Sequence, residues 1–559
     1  MKSNRLFLAV VFLMISATGK AIEVEGDVWG VWSPENNPYL VVGEVRVPPE
    51  STLTIEPGVI VNFQGHYKFI VDSLATLLAA GSEDDSIIFT TDDPSTGWHG
   101  IRFLHSDSSS QLSFCRIEYG KATGQYSDSC GGGVFCRHSG IAISHNLITL
   151  NSAEGDGAGI YCRWSIGMVI TDNVIMGNSA ETGHGGGIFS EHCDDLSIIN
   201  NTISGNYAGR GGAMNCVRDS NVVVSHNIVS GNNAFNSGAG IRFQNVENGL
   251  ITQNLVFANW TLSLNGGNGA GIYTRNCGRD VIVSQNVVRE NVAAGRGGGF
   301  FCRGARTTLI NNSATGNSAT YGGGLCCREY AHPILINTIL WSDSSDTGQE
   351  ICLLNQASDP CSLTVTYCNV QGGELGVFVD DSCVLFWEEG NIDVDPLFRN
   401  PGAGDLHLMA EYCGDPDNSP CIDAGHPDSL DSLIDCDLGL GTYRCDMGAY
   451  GGDNSGWTTG VEDDWSDNLP IPKYFLLHQN YPNPFNASTI VNYQLPLSNY
   501  VRLEIYNLLG QKVATLVDGK QKAGHKSVNW DASALSSGLY FYRLTVGDLA
   551  ETRRMMLIK

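Results

Sequence analysis

The sequence predicts an all-β chain in which a long solenoid of stacked coils is followed by a small β-sandwich. A sequence motif recurs along the middle of the 559-residue chain: an Asn, then Gly-Asn-Ser-Ala a few residues later, then a Gly-rich corner. Short alternations of apolar and polar residues accompany it, which is the pattern of half-buried strands. After residue 473 the repeat stops and longer alternating strands with turn signals follow, as in a sandwich.

The period of the solenoid is set by one asparagine that returns every 25 to 32 residues. A repeat of this length is typical of coils that bury their apolar side only against their neighbours. We expect these asparagines to form a column at a turn, each amide bonding the next coil and the bent backbone. The column comprises Asn146, Asn173, Asn201, Asn227, Asn254, Asn286, Asn312 and Asn337.

The short strand after each Gly corner is expected to alternate between the interior and the outside. Ile160 and Cys162 then point inward, while Tyr161 and Arg163 point outward. Small or apolar residues dominate the slot of Cys162, as a narrow interior requires. The other members of this inward slot are Cys136, Ser190, Cys216, Phe243, Thr274, Cys302, Cys327 and Cys352.

The chain divides by composition into six segments. Residues 1–21 have a basic start, an apolar run and small residues at their end, which predicts a secretory signal peptide. Residues 22–120 are expected to form the N-terminal cap and first rungs, 121–370 the regular rungs, and 371–452 the last rungs and C-terminal cap. The acidic stretch 453–472 is predicted to be a linker, and 473–559 the sandwich.

The charge balance excludes one class of partner and favours a secreted protein. The chain carries 59 acidic against 32 basic residues, a formal net charge of −27. Nucleic-acid binding needs clustered cations, so no nucleic-acid partner is expected. After the signal peptide no segment is apolar enough to span a membrane, and a monomer is expected.

Eighteen cysteines and several acidic turns leave two chemical alternatives open. An oxidising compartment would let local pairs form disulfides, although sequence cannot fix the connectivity. Close pairs of this kind are Cys413/Cys421, Cys436/Cys445 and Cys361/Cys368. No zinc-site spacing is present and no cofactor is expected; calcium is the one candidate ion, because acidic turns offer oxygen ligands. Those turns contain Asp393, Asp395, Asp435 and Asp437, for which turn formation is the alternative role.

Two stretches resemble known families. Residues 50–370 resemble right-handed parallel β-helix proteins, and the motifs that carry this resemblance are Gly-Asn-Ser-Ala and Gly-Gly-Gly-Ile-Phe. Pectate lyases, polygalacturonases and many bacterial surface proteins have this fold. Residues 475–559 resemble the type IX secretion C-terminal sorting domain, carried by NYPNPFN, YNLLGQKVATL, GLYFYRL and the terminal Lys559. The second resemblance implies contact with the type IX secretion machinery and a secreted or outer-membrane surface location in a bacterium.

One polar corner is the candidate catalytic site. Glu154 and Glu181 occupy the same slot of successive coils, which would place them about 5 Å apart, the carboxyl separation of a retaining glycosidase. Asp156, His184 and Arg210 lie close to that slot and could serve a lyase instead. Gly183-His184-Gly185 precedes Asp194-Asp195, which is the wrong order for the polygalacturonase pattern. The alternative is a solvated corner without chemistry, since loop charges usually face water.

The outward side of the post-corner strand is the candidate ligand-binding surface. Aromatic faces stack on sugar rings and arginine forks bind carboxylates. The alternative is that the rings stack on one another and the arginines cover them. The candidate residues are Tyr161, Arg163, Phe189, Tyr273, Arg275, Phe301 and Arg303.

Three functions follow from these readings. The favoured one is a secreted or surface rod that binds extracellular polysaccharide or a surface glycan, or mediates adhesion. The second is a polysaccharide lyase or glycoside hydrolase that uses the polar corner, and the third is a structural spacer. A shared fold cannot choose among them, because function depends on the site.

Overall fold

The computed structural model describes residues 21–263, 266–355, 360–452, 476–477, 480, 485–495, 499–508, 510–521, 524–546 and 549–559. The predicted signal peptide, apart from Ala21, and the predicted linker lie outside these residues. The chain separates into a large and a small compact unit.

The large unit is the predicted solenoid of parallel strands. Each regular coil supplies one strand to each of three long sheets, in the order B, A, C along the chain, and most add a short strand to a corner sheet D between A and C. Sheets A and C share two N-terminal strands, Ile22–Asp27 and Tyr39–Val47, and together form a 26-stranded sheet. Sheet B has 14 strands and sheet D has nine. The predicted all-β solenoid is confirmed.

The strand bounds repeat with the coils. The further strands of sheet A are Ile60–Phe63, Ile87–Thr91, Cys115–Glu118, Leu147–Thr149, Val174–Met176, Thr202–Ser204, Ile228–Ser230, Leu255–Phe257, Val287–Arg289, Ser313–Thr315, Ile339–Trp341 and Asn369–Val370. Sheet B contains Gly30–Trp32, Thr52–Ile55, Thr76–Ala80, Gln111–Ser113, Ala142–Ser144, Val169–Thr171, Ser197–Ile199, Ser220–Ser225, Glu247–Thr252, Ile282–Ser284, Thr308–Ile310, Ile334–Ile336, Ser362–Thr366 and Val384–Trp387.

Sheets C and D complete each coil. The further strands of sheet C are Phe69–Val71, Ile101–Leu104, Val134–Arg137, Ile160–Arg163, Ile188–Glu191, Met214–Val217, Ile241–Gln244, Ile272–Arg275, Phe300–Arg303, Leu325–Arg328, Ile351–Leu354 and Phe378–Val379. Sheet D contains Lys121–Ala122, Ser152–Ala153, Ser179–His184, Tyr207–Arg210, Asn233–Ser237, Trp260–Thr261, Val292–Arg296, Ser318–Tyr321 and Ser344–Thr347. The 3-10 helices are Pro34–Asn36, Glu374–Gly376, Pro401–Ala403 and Glu411–Cys413.

The interior of the solenoid is one continuous apolar core. The middle residue of each three-residue strand in sheets A and B points inward. Ile143 in sheet B and Ile148 in sheet A are examples, and both are fully buried. The predicted inward slot in sheet C is confirmed by the register from Cys136 through Cys327. Its predicted last member, Cys352, is wrong: Leu353 aligns with Cys327, and Cys352 aligns with Cys326 on the outward side.

The predicted asparagine column forms at the turn between sheets B and A. Each member accepts hydrogen bonds at its Oδ1 from the backbone and amide nitrogens of the preceding member, as Asn201 does from Asn173 at 3.0 and 2.9 Å. The column runs in register from Asn146 to Asn312. It ends at Thr338, whose hydroxyl accepts from the Asn312 nitrogen at 3.3 Å, so the predicted last member, Asn337, is wrong.

A second asparagine column, which the sequence analysis did not predict, lies at the corner between sheets A and D. It uses the asparagine of Gly-Asn-Ser-Ala and ends on a carboxylate, because Asp343 Oδ1 accepts from the amide of Asn317 at 2.9 Å. The residue before each member adopts a left-handed backbone, for which glycine is favoured, as at Gly205 (φ 62°). The column consists of Asn151, Asn178, Asn206, Asn232, Asn259, Asn291, Asn317 and Asp343.

Residues after the last coil fold back along the solenoid. The strands Phe398–Asn400 and Asp405–Leu408 pair with each other. This segment packs its apolar residues on the outward side of sheet A, where Val287 and Ile339 are fully buried beneath it. The Gln285 amide donates to the Gly451 carbonyl at 2.9 Å, which ties the segment to the middle of the sheet.

The same segment holds the disulfide of the described residues, between Cys413 and Cys436. The predicted pairs Cys413/Cys421 and Cys436/Cys445 are therefore wrong, because the fold of the segment brings together cysteines 23 residues apart. Cys361 and Cys368 are both free and buried, so that pair is not formed either.

The small unit is a β domain with its own core. One sheet contains Leu476–Leu477, Ser488–Leu495 and Gly524–Asp531, and the other contains Asn499–Asn507, Lys512–Gln521, Gly538–Val546 and Leu549–Leu557. All pairings between these strands are antiparallel. Their alternating apolar side chains form one core that includes Leu503, Tyr542 and Trp530. The predicted small C-terminal β domain is confirmed.

Candidate functional site

The polar corner brings three of its five predicted residues into contact. The register between sheet D strands pairs His184 with Arg210. His184 Nδ1 lies 3.1 Å from Asp156 Oδ1, and the backbone nitrogen of His184 donates to the same oxygen at 2.8 Å. Arg210 Nη1 lies 3.0 Å from His184 Nε2. Because arginine is always a donor, Nε2 accepts and the ring proton lies on Nδ1, facing Asp156.

This arrangement orients the imidazole. His184 is one-third exposed and Asp156 is half-buried, so solvent reaches the ring. The Nε2 lone pair would become available to a ligand only if Arg210 moved away. The chain of carboxylate, imidazole and guanidinium is therefore a positioned polar group whose proton acceptor, Nε2, is covered by Arg210.

The two predicted glutamates lie apart from this chain of contacts. The register of Ser152 on Ser179 puts Glu154 and Glu181 at equivalent positions of adjacent coils. Both side chains are exposed, and Glu154 Oε2 accepts from the Gly124 nitrogen at 3.0 Å. On the next coil, burial and the carboxylate of Glu181 raise the pKa of Tyr207. Within the part of the chain that the structure describes, neither glutamate forms a hydrogen bond or ion pair with His184, and a catalytic role for the pair stays a prediction.

The predicted aromatic platform is formed but covered. Phe135, Tyr161 and Phe189 stack with centroid separations of 4.9 and 5.4 Å, and all three rings are buried. Tyr126 covers the hydroxyl of Tyr161 at 3.3 Å. Burial also raises the pKa of Tyr161.

A second pair of predicted platform rings is covered in the same way. Tyr273 and Phe301 lie 5.0 Å apart and are only 2% and 0% exposed. The expectation that these aromatic side chains offer free faces to a sugar is therefore wrong. Stacking within the sheet and the residues above it occupy the ring faces.

Five outward arginines of sheet C are partly exposed and fall into two groups that align in register. Arg163 aligns with Arg137, and both are half-buried. Further along, Arg275, Arg303 and Arg328 align on three successive coils. Two exposed arginines follow in the turns after these strands, Arg279 and Arg306. We refer to Arg275, Arg279, Arg303, Arg306 and Arg328 as the arginine cluster.

Acidic neighbours neutralise part of the arginine cluster. Glu329 contacts Arg303 at 2.5 Å and Arg328 at 2.8 Å. Among the described residues no ion pair reaches Arg275 or Arg306. On the earlier coils, Arg163 pairs with Glu191 at 2.9 Å, so it is less available than Arg275 to an external anion.

The sequence analysis missed a column of stacked rings. Its members occupy the position directly after the last residue of each sheet C strand, as His138 follows Arg137 and Trp164 follows Arg163. His105 stacks on His138 at 4.5 Å, His138 on Trp164 at 5.2 Å, and Trp164 lies 6.4 Å from His192. The three histidines are exposed, and the guanidinium of Arg163 lies 4.0 Å above the Trp164 ring. Extending the strand register by one residue would have found this column. We refer to His105, His138, Trp164 and His192 as the ring column.

The acidic turns proposed for calcium are occupied by local hydrogen bonds. Asp393 accepts from the Gly372 nitrogen and Asp395 from the Leu397 nitrogen, both at 3.0 Å. Asp437 pairs with Arg399 at 3.3 Å, and the Asp435 nitrogen donates to the Gly439 carbonyl at 3.0 Å. Within the described residues, no group of three or more His, Cys, Asp or Glu side chains is arranged to hold a metal ion.

Within the same residues, none of the helices has the length and apolar character needed to cross a membrane.

Comparisons with known proteins agree with both units. The family described as the right-handed beta helix region matches residues 92–261 and 158–340. The family described as the secretion system C-terminal sorting domain matches residues 479–559. Among solved structures, a mutant of the periplasmic alginate epimerase AlgG is similar at 15% identity and a TM-score of 0.32, over 64% of this chain and 77% of that chain. No curated protein matches the sequence significantly.

Proposed function

This chain is a right-handed β-helix protein with a type IX secretion C-terminal sorting domain, secreted or attached at the cell surface, and from that premise we propose that its β-helix binds an acidic extracellular polysaccharide at the arginine cluster. The observation that carries the proposal is the alignment of Arg275, Arg303 and Arg328 on successive coils. Adjacent parallel strands lie about 4.8 Å apart, so the guanidinium groups repeat at a regular short interval. A linear polymer with regularly spaced carboxylates or sulfates meets such a series with several contacts at once.

The charge of the whole chain makes this cluster distinctive. Only 32 of the 559 residues are lysine or arginine, and the formal net charge is −27. Five arginines within three coils therefore form a local cationic site on an otherwise acidic protein. Arginine binds oxyanions through paired hydrogen bonds to two of their oxygens, which favours carboxylate or sulfate groups over neutral sugars.

Replacing two unpaired arginines should weaken binding without exposing an unpartnered carboxylate. We expect Arg275→Ala/Arg306→Ala in the mature full-length chain to bind an acidic polysaccharide at least about 100-fold more weakly, because each charge-assisted contact contributes roughly 1.5 kcal/mol or more. Titration calorimetry against polygalacturonate, alginate and a sulfated glucan, with neutral dextran beside them, measures this. Affinity should also fall as salt rises.

Arg46→Ala is a control for the loss of a surface arginine outside the cluster, since this arginine is 46% exposed, lies on an early strand of the same solenoid and pairs with Asp72 at 2.9 Å. Unchanged affinity in the double variant, or equal affinity for dextran, would contradict the proposal.

A second candidate function is cleavage of a polysaccharide at the polar corner, favoured by the contacts among Asp156, His184 and Arg210. An enzyme would release reducing ends or unsaturated products from the same polysaccharides. His184→Ala and Asp156→Asn should then each lower the rate by about 100-fold or more, because an oriented acid–base group contributes at least that much. Glu154→Gln and Glu181→Gln test the predicted carboxylate pair.

The binding proposal expects binding with no products from the unmodified chain. His145→Asn is the control for the enzyme assay, because His145 has a left-handed backbone that asparagine tolerates and lies outside the corner. Products that persist in the His184 and Asp156 variants would exclude the corner as their source.

A further inference from the structure

We propose that Cys361 and Cys383 form a disulfide in the exported protein, which fastens the last coil of the solenoid to the coil before it. The two sulfur atoms lie 3.3 Å apart. The chain places them on adjacent coils, immediately before the aligned residues Ser362 and Val384 of sheet B.

The backbone around the pair already has the geometry that a disulfide requires. The Val384 nitrogen donates to the Cys361 carbonyl at 3.0 Å, and the Cys361 nitrogen lies 3.4 Å from the Cys383 sulfur. Neighbouring parallel strands are about 4.8 Å apart, which lies inside the range of about 4.4–6.8 Å between the Cα atoms of bonded cysteines. Rotation of the two side chains is sufficient to bring the sulfurs together.

The position of the pair explains what the bond would do. Val384–Trp387 is the last strand of sheet B, and within the described residues its far edge has no strand partner. Its residues Val384 and Phe386 are 45% and 50% exposed. A coil with a neighbour on one side only loses half of the contacts that hold an inner coil, so it opens more readily. A covalent link at its first residue limits that opening.

The chemistry needs one oxidant, the disulfide of a protein thiol oxidase in the compartment through which the chain is exported. Cys383 is half-exposed and Cys361 is buried, and burial together with the Cys383 thiol raises the pKa of Cys361. The Cys383 thiolate therefore attacks the oxidant first, forming a mixed disulfide and releasing one oxidant thiolate. Cys361 then loses its proton, and its thiolate attacks the Cys383 sulfur and displaces the second oxidant thiolate. Two protein thiols are oxidised, and the oxidant disulfide becomes a dithiol that takes up both protons.

Thiol mapping of the full-length chain tests this bond. Protein made in an oxidising bacterial periplasm is treated with oxidised glutathione and then denatured in the presence of N-ethylmaleimide, which alkylates free thiols. It is digested without reduction. We expect a linked peptide pair that contains Cys361 and Cys383, beside the Cys413–Cys436 pair as internal reference. Alkylation of both Cys361 and Cys383, or a link from either to another cysteine, overturns the proposal.

Limited proteolysis supplies the functional readout. Cleavage between residues 375 and 392 should be about tenfold faster in Cys383→Ser than in the oxidised parent chain, because local opening is no longer restrained. Dithiothreitol should raise cleavage of the parent chain to the same rate and leave the variant unchanged. Equal rates in the oxidised parent and the variant would show that the bond does not fasten the coil.

Discussion

Replacing Asn232 with alanine should destabilise the solenoid by about 3–5 kcal/mol, because several buried polar groups lose their partners at once. Asn232 is fully buried in the second asparagine column. Its Oδ1 accepts from the backbone and amide nitrogens of Asn206, both at 3.0 Å. Its amide donates to the Ile203 carbonyl at 2.8 Å and to Asn259 at 3.0 Å. Alanine would leave these buried donors and acceptors unpaired.

The neighbouring residue provides a matched control. Asn233 is half-buried, and its amide makes one long bond of 3.4 Å to the Gly231 carbonyl. Asn233→Ala should therefore change the unfolding free energy by less than about 1 kcal/mol. Urea unfolding of both variants, followed by circular dichroism, measures the difference. Similar midpoints for the two variants would show that the column is not a major source of stability.

The solenoid should be more stable at pH 5 than at pH 8 by several kcal/mol. Burial raises the pKa of Asp219 to about 7 and that of Asp446 to about 8. An acid whose pKa is higher in the folded state binds its proton more tightly there. The stability it contributes is complete below the unfolded pKa near 4 and is lost as the pH rises to the folded value. A shift of about three pKa units corresponds to about 4 kcal/mol for Asp219 alone.

Asp219→Asn isolates one contribution to this pH dependence. The amide has the shape of the protonated acid, and its oxygen can still accept from the Cys193 nitrogen, 2.7 Å from Asp219 Oδ1. The urea midpoint of the variant should fall less steeply between pH 4 and 7 than that of the parent chain. Asp195→Asn, at an exposed left-handed position, is the control. A parent midpoint that rises across this range would contradict the prediction.

The register of the solenoid could be predicted from sequence because it depends on spacing alone. Residues at the same phase of the repeat must stack once coils wind in parallel, so Asn173, Asn201 and Asn227 form a column as expected. The sorting domain was equally predictable from its motifs. The prediction was wrong where a residue changed phase, since the next residue after Asn337, Thr338, takes the last place in the column.

The exposure of side chains could not be predicted in the same way. Alternation correctly put Tyr161 on the outward side, but its burial depends on Phe135, Phe189 and a loop that carries Tyr126. The contact between His184 and Arg210 follows from a register shift in sheet D, which no periodic pattern contains. The Cys413–Cys436 disulfide depends on how a non-repeating segment folds, so the nearest cysteines along the chain were misleading.

The side-chain hydrogen bonds of the two asparagine columns share one direction along the solenoid axis, so the columns are polar. Except at Asn312, each asparagine side chain donates one amide hydrogen to the next coil and accepts at its oxygen from the coil before, so these hydrogen bonds run in one direction along the axis. In the second column the series ends on Asp343, whose carboxylate accepts the last amide hydrogen. A coil inserted in the middle would extend this polarised stack, whereas one added beyond Asp343 would receive no amide hydrogen from it. The carboxylate thus ends the second column, and the later strands Ser362–Thr366 and Asn369–Val370 continue the solenoid without it.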